Sequence, residues 1–162
     1  MPESIIAGIR EYIDAVPLMR EFDKKNRHID WTDPDNDNYG IFPDTDTLIE
    51  EYVDGTEIRK YVCQINIRRF AALDADRLKN TEFLERLQRW FAKQTDEENL
   101  PEMPEGCTPE EITADNAMLL DMDAAGKKGT YTIQIILKYT REELLWQKQL
   151  EKSPKGRKYT FI

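Results

Sequence analysis

Two stretches of the chain carry hydrophobic residues at every third or fourth position, which is the spacing of an amphipathic helix. The first stretch predicts a helix over residues 4–19, with Ser4 as its N-cap and Pro17 near its end. Its apolar stripe consists of Ile5, Ile6, Ile9, Ile13 and Val16. The second stretch predicts a helix over residues 81–95, capped by Asn80 or Thr81. Its apolar side consists of Phe83, Leu84, Leu87, Trp90 and Phe91.

Two other regions alternate between hydrophobic and polar residues, which is typical of β-strands. Residues 48–71 predict a hairpin with a first arm from Leu48 to Val53 and a turn at Asp54-Gly55. One face of its second arm carries Tyr61, Cys63, Ile65 and Ile67, and Val62 is an apolar exception on the other face. Residues 111–121 and 130–140 predict a second hairpin. The apolar faces of its arms are Ile112, Met118 and Leu120 in the first, and Tyr131, Ile133, Ile135, Leu137 and Tyr139 in the second.

The order helix, hairpin, helix, hairpin predicts an α+β fold, with a mainly antiparallel mixed sheet and two helices packed on one face. Residues 23–47 are rich in aspartate and contain two prolines, so we expect a loop there with only brief edge strands. A proline-marked loop is predicted over residues 99–109. The domain is expected to span residues 1–140 and to be followed by a C-terminal basic arm over residues 141–162.

The arm differs from the rest of the chain in its charge. Residues 141–162 hold six basic and three acidic residues, whereas the whole chain has 32 acidic and 23 basic residues and a net charge of −9. Thr140 and Glu143 have the spacing of a capping box, which predicts a short helix from Arg141 to Glu151. A basic segment with aromatic residues on an acidic body indicates a contact with a neighbour. The candidate interface residues are Leu144, Leu145, Trp146, Tyr159 and Phe161.

The length and the charge of the chain exclude several classes of protein. A chain of 162 residues suits one domain. Its surplus of acids argues against a general nucleic-acid binder, which needs lysine and arginine to neutralise phosphates. No apolar run approaches the ~18 residues of a membrane-spanning helix, and the start Met1-Pro2-Glu3 lacks the pattern of a signal peptide. Cys63 and Cys107 form no C-x-x-C pair, so we expect reduced thiols in a protein made in the cytosol.

The sequence offers little catalytic or metal-binding chemistry. His28 is the only histidine, and nothing at ligand or triad spacing accompanies it. The best metal candidate is Asp33-x-Asp35-x-Asp37, because alternate carboxylates open calcium loops. Its sixth and twelfth positions are Asn38 and Asp44 instead of glycine and glutamate, which favours a solvated acidic loop. We therefore predict that the protein is not an enzyme and uses no metal or cofactor.

Five stretches of the sequence together resemble a known family. They are SIIAGIREYI from Ser4, YVDGTEIRKYV from Tyr52, FLERLQRWF from Phe83, NLPEMPEGCTPEEI from Asn99 and YTIQIILKYT from Tyr131. Their order and spacing are similar to those of the phage tail terminator, or tail completion, family. This is the minor capsid protein family of Gram-positive phages and prophages, which is sometimes mislabelled chloramphenicol resistance protein. The resemblance covers roughly residues 4–140.

The resemblance implies a tail-terminator-like fold and a structural role in the virion. Such proteins form a homo-hexameric ring that caps the head-proximal end of the tail tube and provides the docking surface for the head connector. The implied partners are the tail tube protein, a head-closure or connector protein and, in a contractile tail, the sheath protein. DNA would pass through the ring without specific binding, and no membrane is involved. The implied location is the neck of the virion, after synthesis in the cytoplasm of the bacterial host.

Several alternatives remain open at the level of the sequence. The chain could be a head-closure or another neck protein at the head–tail junction. A small acidic adaptor or inhibitor that binds a host protein is a second alternative, and a metal-dependent hydrolase built on Asp33–Asp37 is a third. If the protein is a tail terminator, we hypothesise that Ile29–Thr47 or Asp121–Gly129 faces the lumen of the ring or the tail tube. The extension over residues 141–162 leaves open whether the chain serves a contractile tail, a flexible tail or a tail-like bacteriocin.

Overall fold

A computed structural model of the chain describes residues 1–142 and contains one five-stranded sheet and two α-helices. The helices are α1, Ile5–Asp14, and α2, Asp74–Asp96, and two short 3₁₀ helices, Pro17–Glu21 and Lys24–Asn26, follow α1. The strands are β1, Arg27–Ile29; β2, Asn38–Glu51; β3, Glu57–Phe70; β4, Cys107–Met122; and β5, Lys128–Arg141. The prediction of an α+β fold with a mixed sheet and two helices is confirmed.

The strands lie in the order β1-β2-β3-β5-β4, so β5 occupies the interior of the sheet between β3 and β4. The short strand β1 runs parallel to β2, and every other pair is antiparallel. β1 covers the outer side of β2 only at Tyr39, Gly40 and Ile41. From Phe42 onward β2 is therefore an edge strand, and β4 forms the opposite edge.

The core lies on one face of the sheet, under both helices. The predicted inward residues of β3 and β5 share a single cluster with side chains of α1 and α2, which places the two helices against the same face. The fully buried members include Ile9, Ile13, Ile65, Leu87, Phe91, Ile133, Ile135 and Leu137. The opposite face of the same strands carries half-buried polar residues: Gln64, Asn66, Thr132 and Gln134. The period of two therefore separates a core face from a polar face, and only Val62 is apolar and buried on the polar side.

The helix α1 begins as predicted and ends earlier than predicted. Ser4 is its N-cap, and the Ser4 hydroxyl accepts a hydrogen bond from the backbone N–H of Ala7 at 3.2 Å. The helix ends at Asp14 because Pro17 disfavours a helical conformation at the residue before it, and Val16 is accordingly extended, with φ −61° and ψ 127°. Pro17 then begins the first 3₁₀ helix, where the missing N–H of proline is harmless.

The helix α2 begins well before the predicted residue 81, so the predicted caps at Asn80 and Thr81 are wrong. The carboxylate of Asp76 accepts a hydrogen bond from the N–H of Leu73 at 3.2 Å, and Asp74 adds a second acid to the first turn. Negative charge there is favoured by the helix dipole. The predicted apolar side is buried at Phe83, Leu84, Leu87 and Phe91, and Trp90 is half-buried.

The strand β2 is much longer than the predicted arm from Leu48 to Val53. Residues 38–47, predicted as a loop with only brief edge strands, pair with β3 from Asn38↔Arg68 through Thr47↔Lys60, with a register shift between Pro43 and Thr45. Proline cannot donate to a ladder, so Pro43 is tolerated on this edge strand. The pairing with β3 overrides a composition that is otherwise typical of a loop.

The strand β4 departs from a regular alternation in its second half, where the predicted apolar face is wrong. Ile112 is buried, but Met118 and Leu120 are exposed. Register shifts between Asp115 and Met118 and between Leu119 and Asp121 move these side chains away from the core face. α2 covers the outer side of β4 only in its first half, where the Thr95 hydroxyl accepts a hydrogen bond from the N–H of Ile112 at 3.0 Å.

The strand β5 runs through Thr140 and Arg141, which corrects the predicted start of a helix at Arg141. Arg141 pairs with Glu57 of β3 and with Cys107 of β4, so it belongs to the sheet. The remainder of the predicted helix lies outside the described residues. So do the candidate interface residues of the arm: Leu144, Leu145, Trp146, Tyr159 and Phe161.

Candidate interaction surfaces

The acidic loop predicted as the best metal candidate is closed by its own hydrogen bonds. The carboxylate of Asp33 accepts from the N–H of Asp35 and from the side-chain amide of Asn36, both at 2.9 Å. The Asp35 and Asn36 hydrogen bonds hold the pKa of the Asp33 carboxyl below its ordinary value. Among residues 1–142, no group of three or more histidine, cysteine or acidic side chains is placed to hold a metal ion.

The same loop is tied to the connector between β4 and β5. The guanidinium of Arg68, which is 9% exposed, donates to the carbonyl of Pro34 at 3.2 Å and to the Thr130 hydroxyl at 2.8 Å. It also lies 3.7 Å from a carboxylate oxygen of Asp121 and 3.8 Å from one of Asp123. The two segments hypothesised to face the lumen or the tube, Ile29–Thr47 and Asp121–Gly129, thus meet at one end of the sheet through this arginine.

A close backbone approach fixes where this loop crosses the sheet. A Cβ atom at Gly40 of β2 would lie 2.0 Å from the carbonyl oxygen of Trp31. The absence of a side chain at Gly40 therefore lets the loop rest directly on the strand. The Trp31 ring packs edge-on against the ring of His28, with centroids 4.5 Å apart.

The hairpin of β2 and β3 presents an apolar surface at the other end of the sheet. Leu48, Ile49, Tyr52 and Val53 are all exposed, and Val53 is exposed completely; we call these four residues the hairpin patch. The predicted turn at Asp54-Gly55 is confirmed: Gly55 has φ 91°, and the N–H of Tyr52 donates to the carbonyl of Thr56 at 2.8 Å. The tight turn holds the patch at the tip of a paired hairpin.

The hairpin that carries the patch is strongly acidic. Residues 44–57 contain six acidic residues and no basic residue. Two of the acids, Glu50 and Glu51, are exposed beside the patch. Arg59 and Lys60 follow on β3 opposite Leu48 and Thr47, so the acids of this hairpin outnumber its bases without being alone. An apolar surface with an excess of one charge beside it is typical of a contact with a partner of opposite charge.

Polar contacts anchor the base of the hairpin to β5. The Tyr139 hydroxyl of β5 lies 2.9 and 3.0 Å from the two carboxylate oxygens of Asp46. The guanidinium of Arg59 donates to Asp46 at 3.1 Å and to Glu57 at 3.2 Å, and Glu57 also accepts from Arg141. This network joins β2, β3 and β5 just below the patch, so it orients the tip.

The charge network predicts an acid-sensitive contribution to stability. Burial raises the pKa of Glu57, but hydrogen bonds and charge from Arg141 and Arg59 outweigh it and hold the pKa below the ordinary 4.5. The contribution of Glu57 is therefore present above pH 4.5 and lost as the pH falls through the lower folded-state pKa. We expect Glu57→Gln to lower the free energy of unfolding by about 0.5–1 kcal/mol at neutral pH.

Urea unfolding of both proteins across the pH range measures this difference. Glu105→Gln, which removes an acid for which the structure gives no ion pair, serves as the matched control. The gap between wild type and Glu57→Gln should close in acid, while the control stays near wild type throughout. A gap that stays unchanged as both proteins are taken from neutral pH far into the acid range would contradict the assignment.

A second exposed apolar surface lies on the far half of β4. Met118, Leu119 and Leu120 are exposed there; we call them the corner patch. Met122, two residues further, pairs with Gly129 of β5, at the end of the sheet opposite to Cys107 and Arg141. The corner patch and the hairpin patch therefore lie on opposite edges and toward opposite ends of the sheet.

A surface groove between the first 3₁₀ helix and α2 is lined mostly by charged residues. It has a volume of about 330 Å³, and its walls include Glu21, Arg69 and Lys79. Arg69 is already engaged, because it pairs with Glu21 and its guanidinium lies 4.6 Å from the centroid of the Phe22 ring. The groove thus holds an ion pair, with its cation stacked on an aromatic ring.

Comparisons with protein families and with curated proteins identified no relative of this chain. No protein-family model matches the chain, and no curated protein matches it. Within residues 1–142, no helix combines the length and the apolar character needed to cross a membrane.

Sequence reasoning did not single out the hairpin patch. A signal was present, because Leu48 and Ile49 are adjacent apolar residues in an alternating strand and therefore occupy both of its faces. Because the core lies on one face of the sheet, one of these two side chains must face away from it. Val53 next to an Asp-Gly turn was a second signal, since turn tips are normally polar.

Proposed function

We propose that this protein is a structural component of a phage virion, a tail terminator that forms a homo-hexameric ring on the head-proximal end of the tail tube. The observation that carries the proposal is the presence of two separate exposed apolar patches at opposite corners of one sheet. The resemblance of residues 4–140 to the tail terminator family supplies the particular role.

A ring that caps a tube needs two unlike kinds of contact in every copy. The lateral contact joins different surfaces of neighbouring copies, which is the heterologous arrangement that closes into a ring. The axial contact joins each copy to the tube. We assign the lateral contact to the hairpin patch and the axial contact to the end of the sheet that carries the corner patch, the acidic loop and the connector Asp121–Gly129. A standard lateral contact would bury on the order of 1,600 Å² in total.

The charge of the chain supports the passage of DNA through such a ring. Acidic residues outnumber basic residues 32 to 23. Binding to nucleic acid requires cations that neutralise phosphates, so an acidic channel wall lets DNA pass without holding it. The proposal places the protein in the neck of the virion, next to a connector protein, and gives it no enzymatic role.

Deleting the gene from the phage genome tests this role. We expect particles with overlong tails or with tails that carry no head, because nothing then stops the tube from growing and nothing joins it to the connector. Electron microscopy of the particles measures tail length and head attachment. Complementation with the wild-type gene on a plasmid is the control.

Other outcomes of the deletion contradict the proposal. Filled or empty heads without a neck, beside tails of normal length, would favour the head-closure alternative. Particles of normal structure, with the protein absent from them, would favour a small acidic adaptor or inhibitor instead.

A further inference from the structure

We propose that the hairpin patch receives the C-terminal segment, residues 143–162, of a neighbouring copy. The inference rests on the proposed function, since it names the surface that the hairpin meets around the ring. Three properties carry it: the charge of the two surfaces, their apolar residues, and the distance between the end of β5 and the basic residues of the segment.

The two surfaces have opposite charge. Residues 44–60 of the hairpin contain six acids and two bases, and residues 143–162 contain five bases and two acids. The chain as a whole is acidic, so this segment is an unusual source of positive charge within it. Opposite charges across a contact raise the association rate and select the partner, and their effect weakens with salt.

The two surfaces also have matching apolar content. The hairpin patch exposes four large apolar side chains beside its acids. The segment contains Tyr159 and Phe161 directly after its basic cluster, and aromatic residues are enriched in the cores of protein contacts. Charge alone would give a weak and salt-sensitive contact, whereas aromatic side chains on an apolar patch add affinity that survives screening.

The length of the segment is sufficient for it to reach a neighbouring copy. Arg141 is fixed against Glu57 of β3, only two strands, or about 10 Å, from β2. The basic cluster Lys155–Lys158 begins 14 residues after Arg141. A stretch of that length reaches up to about 50 Å. A compact body of this size is roughly 35–40 Å across. The basic cluster can therefore reach the hairpin of a copy one body width away, and the proposed ring requires such a contact between copies.

Binding of a synthetic peptide to the full-length protein tests the inference. The probe is a fluorescent peptide of residues 143–162, and anisotropy measures its dissociation constant. We expect saturable binding that weakens several-fold when salt rises from about 50 to 500 mM. The double variant Glu50→Lys/Glu51→Lys should bind at least ~10-fold more weakly, because it reverses the charge beside the patch. Glu82→Lys/Glu85→Lys, with two exposed glutamates of α2 reversed, is the matched control and should bind as wild type does.

Photo-crosslinking tells the neighbouring copy from the same chain. Benzoylphenylalanine replaces Val53 in the full-length chain. Isotopically light and heavy forms of this protein are mixed in equal amounts and irradiated at a protein concentration at which the peptide binds. Mixed light–heavy links between position 53 and residues 143–162 support the proposal. Links only within one chain would overturn it, as would absence of peptide binding or equal loss of binding in both glutamate variants. These measurements use purified protein, so their failure leaves the deletion phenotype, which tests the proposed function, as a separate result.

Discussion

Replacing Phe91 with alanine is expected to lower the free energy of unfolding by about 3–5 kcal/mol. The Phe91 side chain of α2 is completely buried, with ring centroids of Tyr12 and Trp90 6.1 and 5.1 Å away. Its removal loses the free energy gained when the ring leaves water, and it creates a cavity between α1 and α2 that the sheet cannot fill. Urea unfolding followed by circular dichroism measures the loss.

The matched control for this change is Phe70→Ala. Phe70 is the same residue type at the end of β3, but it is 46% exposed. Its replacement should change the stability by less than ~1 kcal/mol, as for most exposed positions. Equal effects of the two substitutions, or a loss below ~1 kcal/mol for Phe91→Ala, would mean that α2 does not pack on the sheet as described.

The double substitution Ile49→Ser/Val53→Ser is expected to reduce incorporation of the protein into particles by roughly 10- to 1,000-fold. Two buried anchor residues each contribute about 1–2 kcal/mol to a contact, and every 1.4 kcal/mol is a factor of ten. Both side chains are exposed in the single copy, so the folded monomer should lose no stability. Immunoblots of particles purified from a complemented deletion strain measure incorporation, and thermal unfolding checks the fold.

Leu78→Ser is the control for the hairpin substitutions. Leu78 is an exposed leucine on α2, outside both patches, and its replacement should leave incorporation unchanged. Normal incorporation of the hairpin variant would show that the lateral contact does not involve the hairpin patch. A large drop in its melting temperature would show instead that Ile49 and Val53 belong to the fold of the monomer.

The sequence alone was enough to predict those strands, caps and turns whose structure depends mainly on their own residues. β3 and β5 lie inside the sheet, so one face of each meets the core and the alternation of Ile65 and Ile67, or Ile133 and Ile135, is strict. Ser4 and Asp54-Gly55 set a helix start and a turn through local hydrogen bonds and backbone conformation. Such features depend on neighbours in the chain, and a single sequence contains those.

The tertiary structure decided what depends on partners distant in the chain. Residues 38–47 have largely the composition of a loop, and the ladder to β3, with β1 added at Tyr39–Ile41, makes them a strand. The register shifts in β4 turn Met118 and Leu120 outward, and no local pattern records where a bulge falls. The acidic triplet Asp33-x-Asp35-x-Asp37 was expected to form a solvated loop, and only the structure shows that Asp33 accepts hydrogen bonds within the loop and that the segment rests on Gly40.

The candidate site divides in the same way. Charge is a property of the sequence, so the acidic body and the basic C-terminal segment were evident without a structure. The exposure of a side chain is not a property of the sequence, because an apolar residue such as Ile49 or Leu119 can lie either in a core or on a surface. Whether it meets water depends on which elements pack against its strand. That packing leaves the hairpin tip and the far half of β4 uncovered, at opposite corners of one sheet.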